Sequence, residues 1–403
     1  SAFASDASLW IGTSRLELRL PIQVPLAGYS RRNGLPATDL HDAPMVRAVV
    51  IQDANRAVAL VNCDLLIIDE RLMEAVRQRV QAARSTPITL LVAATHTHSG
   101  PGAYGQKFFE KLSMGHFDPE VFEALASRIS EAVVMAASQR HAVGSLRAAV
   151  VETSGLVVNR MVPEGSVDAE LTVVTVHDEK GTPRAVFVNF GAHPTTLGAA
   201  NRQLSADYPG VVARLIEAKF PSAVCVFFAG AVGDKAPVKQ GEGFERPEWL
   251  GAQLAQQALV ALNQAAPKHL AGTVRIEQRT LPLDRARVRL GRWRLPSWLG
   301  RLFVDDDATL TVVAIGGDVA WLGLPCDVSS ELGVRLKTHA RRRGIEPVLV
   351  GFANDYIGYC LPESRYWTDA YEAQMAFNGP HTGDRLIEEL QHMIDQLVVQ
   401  GDQ

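Results

Sequence analysis

Five short apolar runs constrain this chain more than any other feature. They cover residues 88–92, 185–190, 223–228, 318–324 and 347–351. Runs of four to eight residues that are apolar on both faces read as strands buried on both sides, which calls for a sheet covered by helices. Each run ends in small and polar residues: Thr95 to Gly102, Gly191 to Thr196, Gly230 to Lys235, Pro325 to Asp327, and Asn354 to Tyr359. Open α/β sheets bind ligands beyond the carboxyl ends of their strands, so these five groups are expected to converge on one pocket.

Helical periodicity fills the intervals. Leu72, Met73, Val76, Val80 and Ala83 share one helical face, as do Val121, Phe122, Leu125, Ile129, Val133 and Ala136 after the start signal Asp118-Pro119. Further helices are expected after Pro209, over 245–264, over 328–342, and at the end, where Leu386, Ile387, Leu390, Met393, Ile394 and Leu397 form a stripe. Residues 103–117 read as a long loop, a length often tied to function. With no repeat and no linker, the expected fold is α/β, one large domain over 1–403 with mixed β-sheets flanked by helices.

Composition narrows the function. Hydrophobic residues make up 47% of the 403 and charged residues 21%, which suits a packed enzyme and excludes a disordered chain. A net charge of -4 without a basic block argues against nucleic acid as a partner. No apolar run approaches the roughly 20 residues of a membrane helix. Cys63, Cys225, Cys326 and Cys360 form no Cys-x-x-Cys pair and read as small core residues. The segment Ser1 to Asp6 has no apolar core. It fits a remnant of signal cleavage or an added leader, so an exported and a cytoplasmic protein are both open, as is the oligomeric state.

The chemistry starts at Thr95-His96-Thr97-His98-Ser99-Gly100-Pro101-Gly102. In extended backbone, residues two apart point to the same side, so His96 and His98 can face one pocket. His193 follows another strand in the same way. Histidine after a strand also serves as a hydrogen-bonded structural residue, but the His-Thr-His spacing with a third histidine and a carboxylate favours a divalent metal, zinc above others. Ser99 lacks the Gly-x-Ser-x-Gly elbow, and no phosphate-loop or dinucleotide fingerprint occurs. The basic, Trp-containing segment 285–305 has two readings: an amphipathic insertion packed on the body, or a flap for membrane-surface contact.

These residues resemble the neutral/alkaline non-lysosomal ceramidase family, on Thr95 to Gly102 first. Asn159-Arg160 resembles that family's Asn-Arg-Ser-Pro segment, Asn189 to Pro194 its second histidine segment, and Gly233-Asp234-Lys235-Ala236-Pro237 its Gly-Asp-Val-Ser-Pro. Pro325-Cys326-Asp327 stands where the family has Pro-Gly-Glu. Asn354 to Tyr359, Pro362-Glu363, Tyr366, Tyr371-Glu372 and Gly379 to Thr382 follow its tyrosine-rich stretch.

The resemblance implies a zinc amidase with a ceramidase-like catalytic domain, cleaving an N-acyl amide of a lipid or small molecule by metal-activated water. It implies His96, His193, Asp327 and Tyr359 as zinc ligands, with His98, Arg160 and Tyr371 facing the substrate amide. His98 is the expected proton carrier, and Asp207 and Asp234 are expected to orient ligands from behind or to cap the turns they precede. Aspartate in place of glutamate is one methylene shorter, and Ala236 replaces a serine, so no hydroxyl nucleophile is available there. The immunoglobulin-like C-terminal domain of the large ceramidases is expected to be missing. Esters, lactones and non-lipid N-acyl amides remain alternative substrates, and a non-catalytic binding protein of the same fold is the other class.

Overall fold

Period-two alternation sends the strand side chains into two different cores. The computed structural model describes residues 9–21, 23–270, 272–290, 293–294 and 296–399. The larger sheet holds β1 (Trp10–Glu17), β2 (Met45–Gln52), β3 (Ala57–Cys63), β4 (Thr89–Ala94), β5 (His141–Glu152), β6 (Glu170–Asp178), β7 (Pro183–Phe190) and β8 (Val224–Ala229). Their spatial order is β8-β7-β6-β5-β1-β2-β3-β4, with Lys268–His269 paired to β5. The β7–β8 and β3–β4 pairs are parallel and the others antiparallel. A second sheet runs β9 (Val274–Pro282), β10 (Asp307–Ile315), β11 (Val319–Gly323), β12 (Glu346–Val350), with its last pair parallel.

In β2, Val49 and Ile51 point at the second sheet, where Val313 and Ile315 of β10 and Trp321 of β11 meet them. Val46, Ala48 and Val50 point the other way, onto α1 (Glu70–Ala83) and α3 (Pro119–Ser138). Between these helices lies the short α2 (Phe108–Met114). The β6–β8 half of the sheet is covered by α4 (Asp207–Lys219) and α5 (Glu245–Gln264). The outer face of the second sheet carries Leu310, Val312 and Leu322 and packs on α6 (Ser330–Arg342) and α7 (Thr382–Val399). The result is the expected α/β class with mixed sheets flanked by helices.

Three buried asparagines each reach a segment outside the ladders of their own strand or loop. Asn62 Nδ2 donates to the Phe227 carbonyl at 3.1 Å. Asn189 bridges Phe228 O at 2.9 Å and Leu349 O at 2.6 Å. Asn354 donates to Leu90 O at 3.1 Å and accepts from Val92 N at 2.9 Å. Buried backbone groups left without partners cost about 1–3 kcal/mol each, and a primary amide satisfies a donor and an acceptor together.

Two expectations are corrected. Residues 103–117 are not a loop throughout, since Phe108–Met114 is helical. Glu110 starts that helix by accepting the Lys107 amide at 2.7 Å, and Gly115 at φ 85 ends it. The helix expected after Pro209 begins at Asp207, which turns the chain at φ 56. Pro209 then falls in the first turn, where its missing N–H removes no helical bond. In segment 285–305, Ala286, Val288 and Val304 are buried, as an insertion packed on the body requires, while Trp298 (72% exposed) and Leu302 (56%) face outward. Residues 1–8, Gly291, Arg292 and Leu295 lie outside the described residues, as does the side chain of Trp293.

Acids gather where α1, α2 and the 351–359 segment meet. Asp69 caps α1 by accepting the Leu72 amide at 2.7 Å, and Lys107 pairs with Asp305 across to the 285–305 segment. Burial pushes Asp69 up to about 7 and Asp355 up to about 8. A carboxyl raised in the folded state holds a proton there that the unfolded chain releases. Its stabilisation is full below the unfolded value of about 3.9 and is lost as pH rises toward the folded value. Asp355→Asn, which imitates the protonated form, should therefore flatten the fall in urea-unfolding stability between about pH 5 and pH 8. An unchanged slope would show that Asp355 does not titrate in that window.

Candidate active site

Strand β4 stops at Ala94, and His96 takes φ 65, in the left-handed region. Phe352, just beyond β12, takes φ 57 and stacks on the His96 ring at 3.8 Å with planes 7° apart. Non-glycine residues in this region cost about 1–3 kcal/mol and persist only where packing over-determines them. The turn places the ring of His96 against Leu66 O, 2.7 Å from Nδ1. His193, after β7, sets Nδ1 at 2.8 Å from Val232 O and 3.1 Å from Lys235 O.

Carbonyl oxygens only accept, so both Nδ1 atoms carry the proton and both Nε2 atoms present a lone pair. Asp327 is fully buried between them. Its Oδ2 accepts the Tyr356 hydroxyl at 2.8 Å. Its Oδ1 has no hydrogen-bond partner and lies 3.1 Å from His193 Nε2 and 3.6 Å from His96 Nε2. Burial lowers His96 to about 4 and takes His193 well below the usual imidazole range, with the Arg160 charge adding to the latter. At neutral pH the rings are therefore uncharged, and their two Nε2 lone pairs face the unpartnered Oδ1 of a carboxyl that burial raises above its ordinary value. A shared cation resolves that arrangement, and a donor set of two imidazoles and a carboxylate fits zinc.

His98 completes the cluster. Its Nε2 is 3.3 Å from His96 Nε2, and the three histidines offer ligand atoms within 4.8 Å of one another, so His98 is itself able to bind a metal ion. Burial first, and the neighbouring His96 next, hold it well below its ordinary value. Its Nδ1 is buried without a partner. Gly28, at φ 107, lies so close that a Cβ there would stand 2.6 Å from the ring.

Arg160 donates to the Tyr359 hydroxyl at 2.8 Å and to Gly233 O at 3.1 Å, approaches His193 Nε2 at 3.4 Å, and pairs with Glu372 at 2.8 Å. Tyr359 reaches His193 Nε2 at 3.3 Å, so the four expected metal ligands are brought together. A parallel bridge pairs Asp327 with Tyr359 and sets both on one short ladder. Tyr371 is 59% exposed on the rim, its ring 5.9 Å from that of Tyr359. The two aspartates expected behind the ligands touch none of the histidines. Asp207 accepts from the Thr196 amide and hydroxyl, bracing the turn after His193. Asp234 accepts the Ser330 amide at 2.8 Å at the start of α6 and the Asn159 side chain at 3.2 Å.

Sequence reasoning missed the roles of Tyr356 and Glu372, although both lie in the tyrosine-rich stretch it singled out. It also missed the carbonyls of Leu66, Val232 and Lys235, because every residue carries one. Above the histidines opens a cleft of about 700 Å³. Phe108, Phe109, Leu112, Phe303, Met375 and Phe377 form its apolar wall.

The fold is that of a neutral ceramidase. A solved neutral ceramidase from Pseudomonas aeruginosa superposes with a TM-score of 0.87 at 21% identity, covering 98% of this chain and 75% of that one. A ceramidase solved in complex with C2 superposes equally well, at 20% identity. The chain belongs to the neutral/alkaline non-lysosomal ceramidase family, whose N-terminal model matches residues 19–246. Neutral ceramidase A of Dictyostelium discoideum is 25% identical over an alignment of 232 residues that covers 53% of this chain and 32% of that protein. This chain thus spans about a third of that relative's length. The neutral ceramidase of Drosophila pseudoobscura pseudoobscura is 22% identical over 94% of this chain and 73% of its own length.

If the acceptor cluster holds a metal, its loss is measurable without substrate. Purified protein should carry about one equivalent of zinc, and His96→Ala should carry less than about a tenth of that by elemental analysis. A metal-replete His96→Ala protein would overturn the ligand assignment.

Proposed function

We propose that residues 1–403 act as one zinc-dependent hydrolase of linear N-acyl amides whose acyl part is lipidic. The observation that carries this reading is the set of inward-facing lone pairs on His96, His193 and Asp327 beneath an apolar-walled cleft. His96, His193, Asp327 and Tyr359 would hold the ion, which when bound polarises a carbonyl and lowers the pKa of water.

The chain's own residues supply the rest. The Arg160 guanidinium is fixed by Glu372 and Gly233 O, so a donor stands ready for negative charge developing on the amide oxygen. His98 is neutral and faces the cleft, so it can accept a proton from the attacking water and then pass that proton to the departing nitrogen. Tyr371, on the rim, orients the amide. Ala236 presents no hydroxyl, so water rather than a side chain at that position attacks. Asp207 and Asp234 act through the turns they brace.

The rim explains how a lipid would arrive. Phe108 (60% exposed) and Leu112 (52%) of α2 are open to solvent, as are Trp298 and Leu302 of the 285–305 segment, and the Phe108 and Phe303 rings join the two segments at 5.5 Å. Basic residues alternate with these apolar residues in the sequence, the pattern of a segment that lies on a membrane surface. No helix among the described residues is long and apolar enough to cross one.

The test is a panel of ceramide, N-acyl ethanolamines and short N-acyl compounds, run with and without a zinc chelator. Cleavage of a long-chain amide that chelation abolishes and added zinc restores is expected. Chelator-resistant turnover, or hydrolysis confined to esters and lactones, would overturn the reading. His98→Gln should lower kcat by about 10²–10⁴ while metal content is kept. Replacing Trp298 and Phe108 together by serine should reduce turnover of vesicle-embedded long-chain substrate more than that of a soluble short-chain one. An equal loss on both would argue against the surface-contact role.

A further inference from the structure

The cleft over the histidines has one sign of charge. The lysines, arginines and acids that line it are Arg31, Arg160, Lys239, Arg289 and a single acid, Glu110. Glu110 is buried and turned into the body, where it accepts the Lys107 amide. Arg160, bound to Glu372 and Tyr359, is the group assigned above to the amide oxygen. Arg289 is committed to the Tyr366 and Ala373 carbonyls and to the Tyr366 ring. Arg31 and Lys239 remain. Both are exposed, and neither has an ion-pair partner among the described residues.

The rest of the chain makes this unusual. The protein carries a net charge of -4, yet every charged side chain that lines the cleft and reaches solvent is a cation. A cleft lined by one sign of charge between low-dielectric walls concentrates ligands of the opposite sign. Arg31 directly follows Tyr29-Ser30, and Tyr29 packs on the reactive-side histidine, His98, at 4.9 Å between ring centroids. Lys239 lies two residues beyond the strand Lys235–Pro237, whose first carbonyl holds His193. Both cations thus come from segments anchored to the cluster, while the aromatic wall comes from α2, the 285–305 segment and residues 375–377.

An amine bearing only hydroxyl groups gives these two cations nothing to neutralise. We propose that the cleft takes N-acyl amino acids, with the acyl chain on the Phe108–Phe303–Phe377 wall and the amino-acid carboxylate between Arg31 and Lys239. This rests on the amide-hydrolase reading above. The reaction adds one water across the C–N bond. The acyl carbon gains the oxygen and leaves as a fatty acid, and the nitrogen gains the proton and leaves as the free amino acid.

The test compares N-lauroylglycine with N-lauroylethanolamine, which share the acyl chain and differ in carboxylate against hydroxymethyl, with C12-ceramide as a third substrate. On zinc-loaded full-length protein, kcat/KM for the glycine conjugate should exceed that for the ethanolamide by about tenfold or more, and the ratio should shrink as salt is raised. The double variant Arg31→Met, Lys239→Met should bring the ratio to about one, mainly through KM, with an unchanged melting temperature as the check on folding. Equal kcat/KM for the two conjugates, or a double variant that keeps the preference, would overturn the inference and leave the amidase reading standing. If none of the three amides is cleaved, the amidase reading falls. Calorimetric titration with the two conjugates then decides the carboxylate site, and equal affinity overturns it.

Discussion

Two hydrogen bonds set the chemistry of this molecule: His96 Nδ1 to Leu66 O and His193 Nδ1 to Val232 O. Each fixes a tautomer, and only with the proton on Nδ1 does Nε2 offer a lone pair to the centre. The carbonyl acceptors belong to segments that leave β3 and β8, and the rings to segments that leave β4 and β7. The ends of two parallel pairs, β3–β4 and β7–β8, therefore fix both rings.

That dependence accounts for what the fold tolerates elsewhere. His96, Phe352, Asn354 and Asp207 all take positive φ without being glycine, and all lie on segments that enter the site. The asparagine bridges at 62, 189 and 354 hold together the strand ends that carry the histidines and the 351–359 segment. Asp168, Lys235 and Lys337 form a buried network behind the same wall. Lys337 pairs with Asp168 at 2.7 Å, and Lys235 donates to the Asp168 carbonyl. Strain and buried charge of this kind are kept where geometry is needed for function.

Much of this was legible in the sequence. Apolar runs at 88–92, 185–190 and 223–228 are strands β4, β7 and β8 to within two residues, because strands buried on both faces admit little but apolar side chains. The His-x-His pair and the third histidine were legible because side-chain type carries their chemistry. Helix α2 was not. Its N-terminal residue before the first turn is Lys107, with none of the usual capping side chains, and its seven residues are too few for periodicity to show. The function of Tyr356 depends on Asp327 lying opposite Tyr359 across a two-residue parallel ladder, a relation between segments 32 residues apart that no local pattern encodes. The corrected start of α4 has the same origin, since Asp207 is held by Thr196, well before it in the chain, as well as by Ser205 and Tyr208 beside it.

The shorter carboxylate at position 327 shows how such a change is absorbed. A glutamate reaches a centre with its longer stem; an aspartate reaches it only if its backbone comes closer. Here the backbone is held from both sides, since Asp327 N donates to Gly358 O at 3.0 Å and the Tyr356 hydroxyl takes Oδ2. Oδ1 is then the one acceptor turned inward, and it meets both Nε2 atoms within 3.6 Å. Tyr356 restricts the carboxylate to one orientation, which leaves a single oxygen available to a metal. The same segment carries Tyr359 to Arg160, and Arg160 to Glu372 on the turn that bears Tyr371. Asp327, Tyr359, Arg160, Glu372 and the turn that bears Tyr371 are therefore one connected unit. A change in side-chain length at position 327 would therefore bear on that whole unit, from the histidines to the rim at Tyr371.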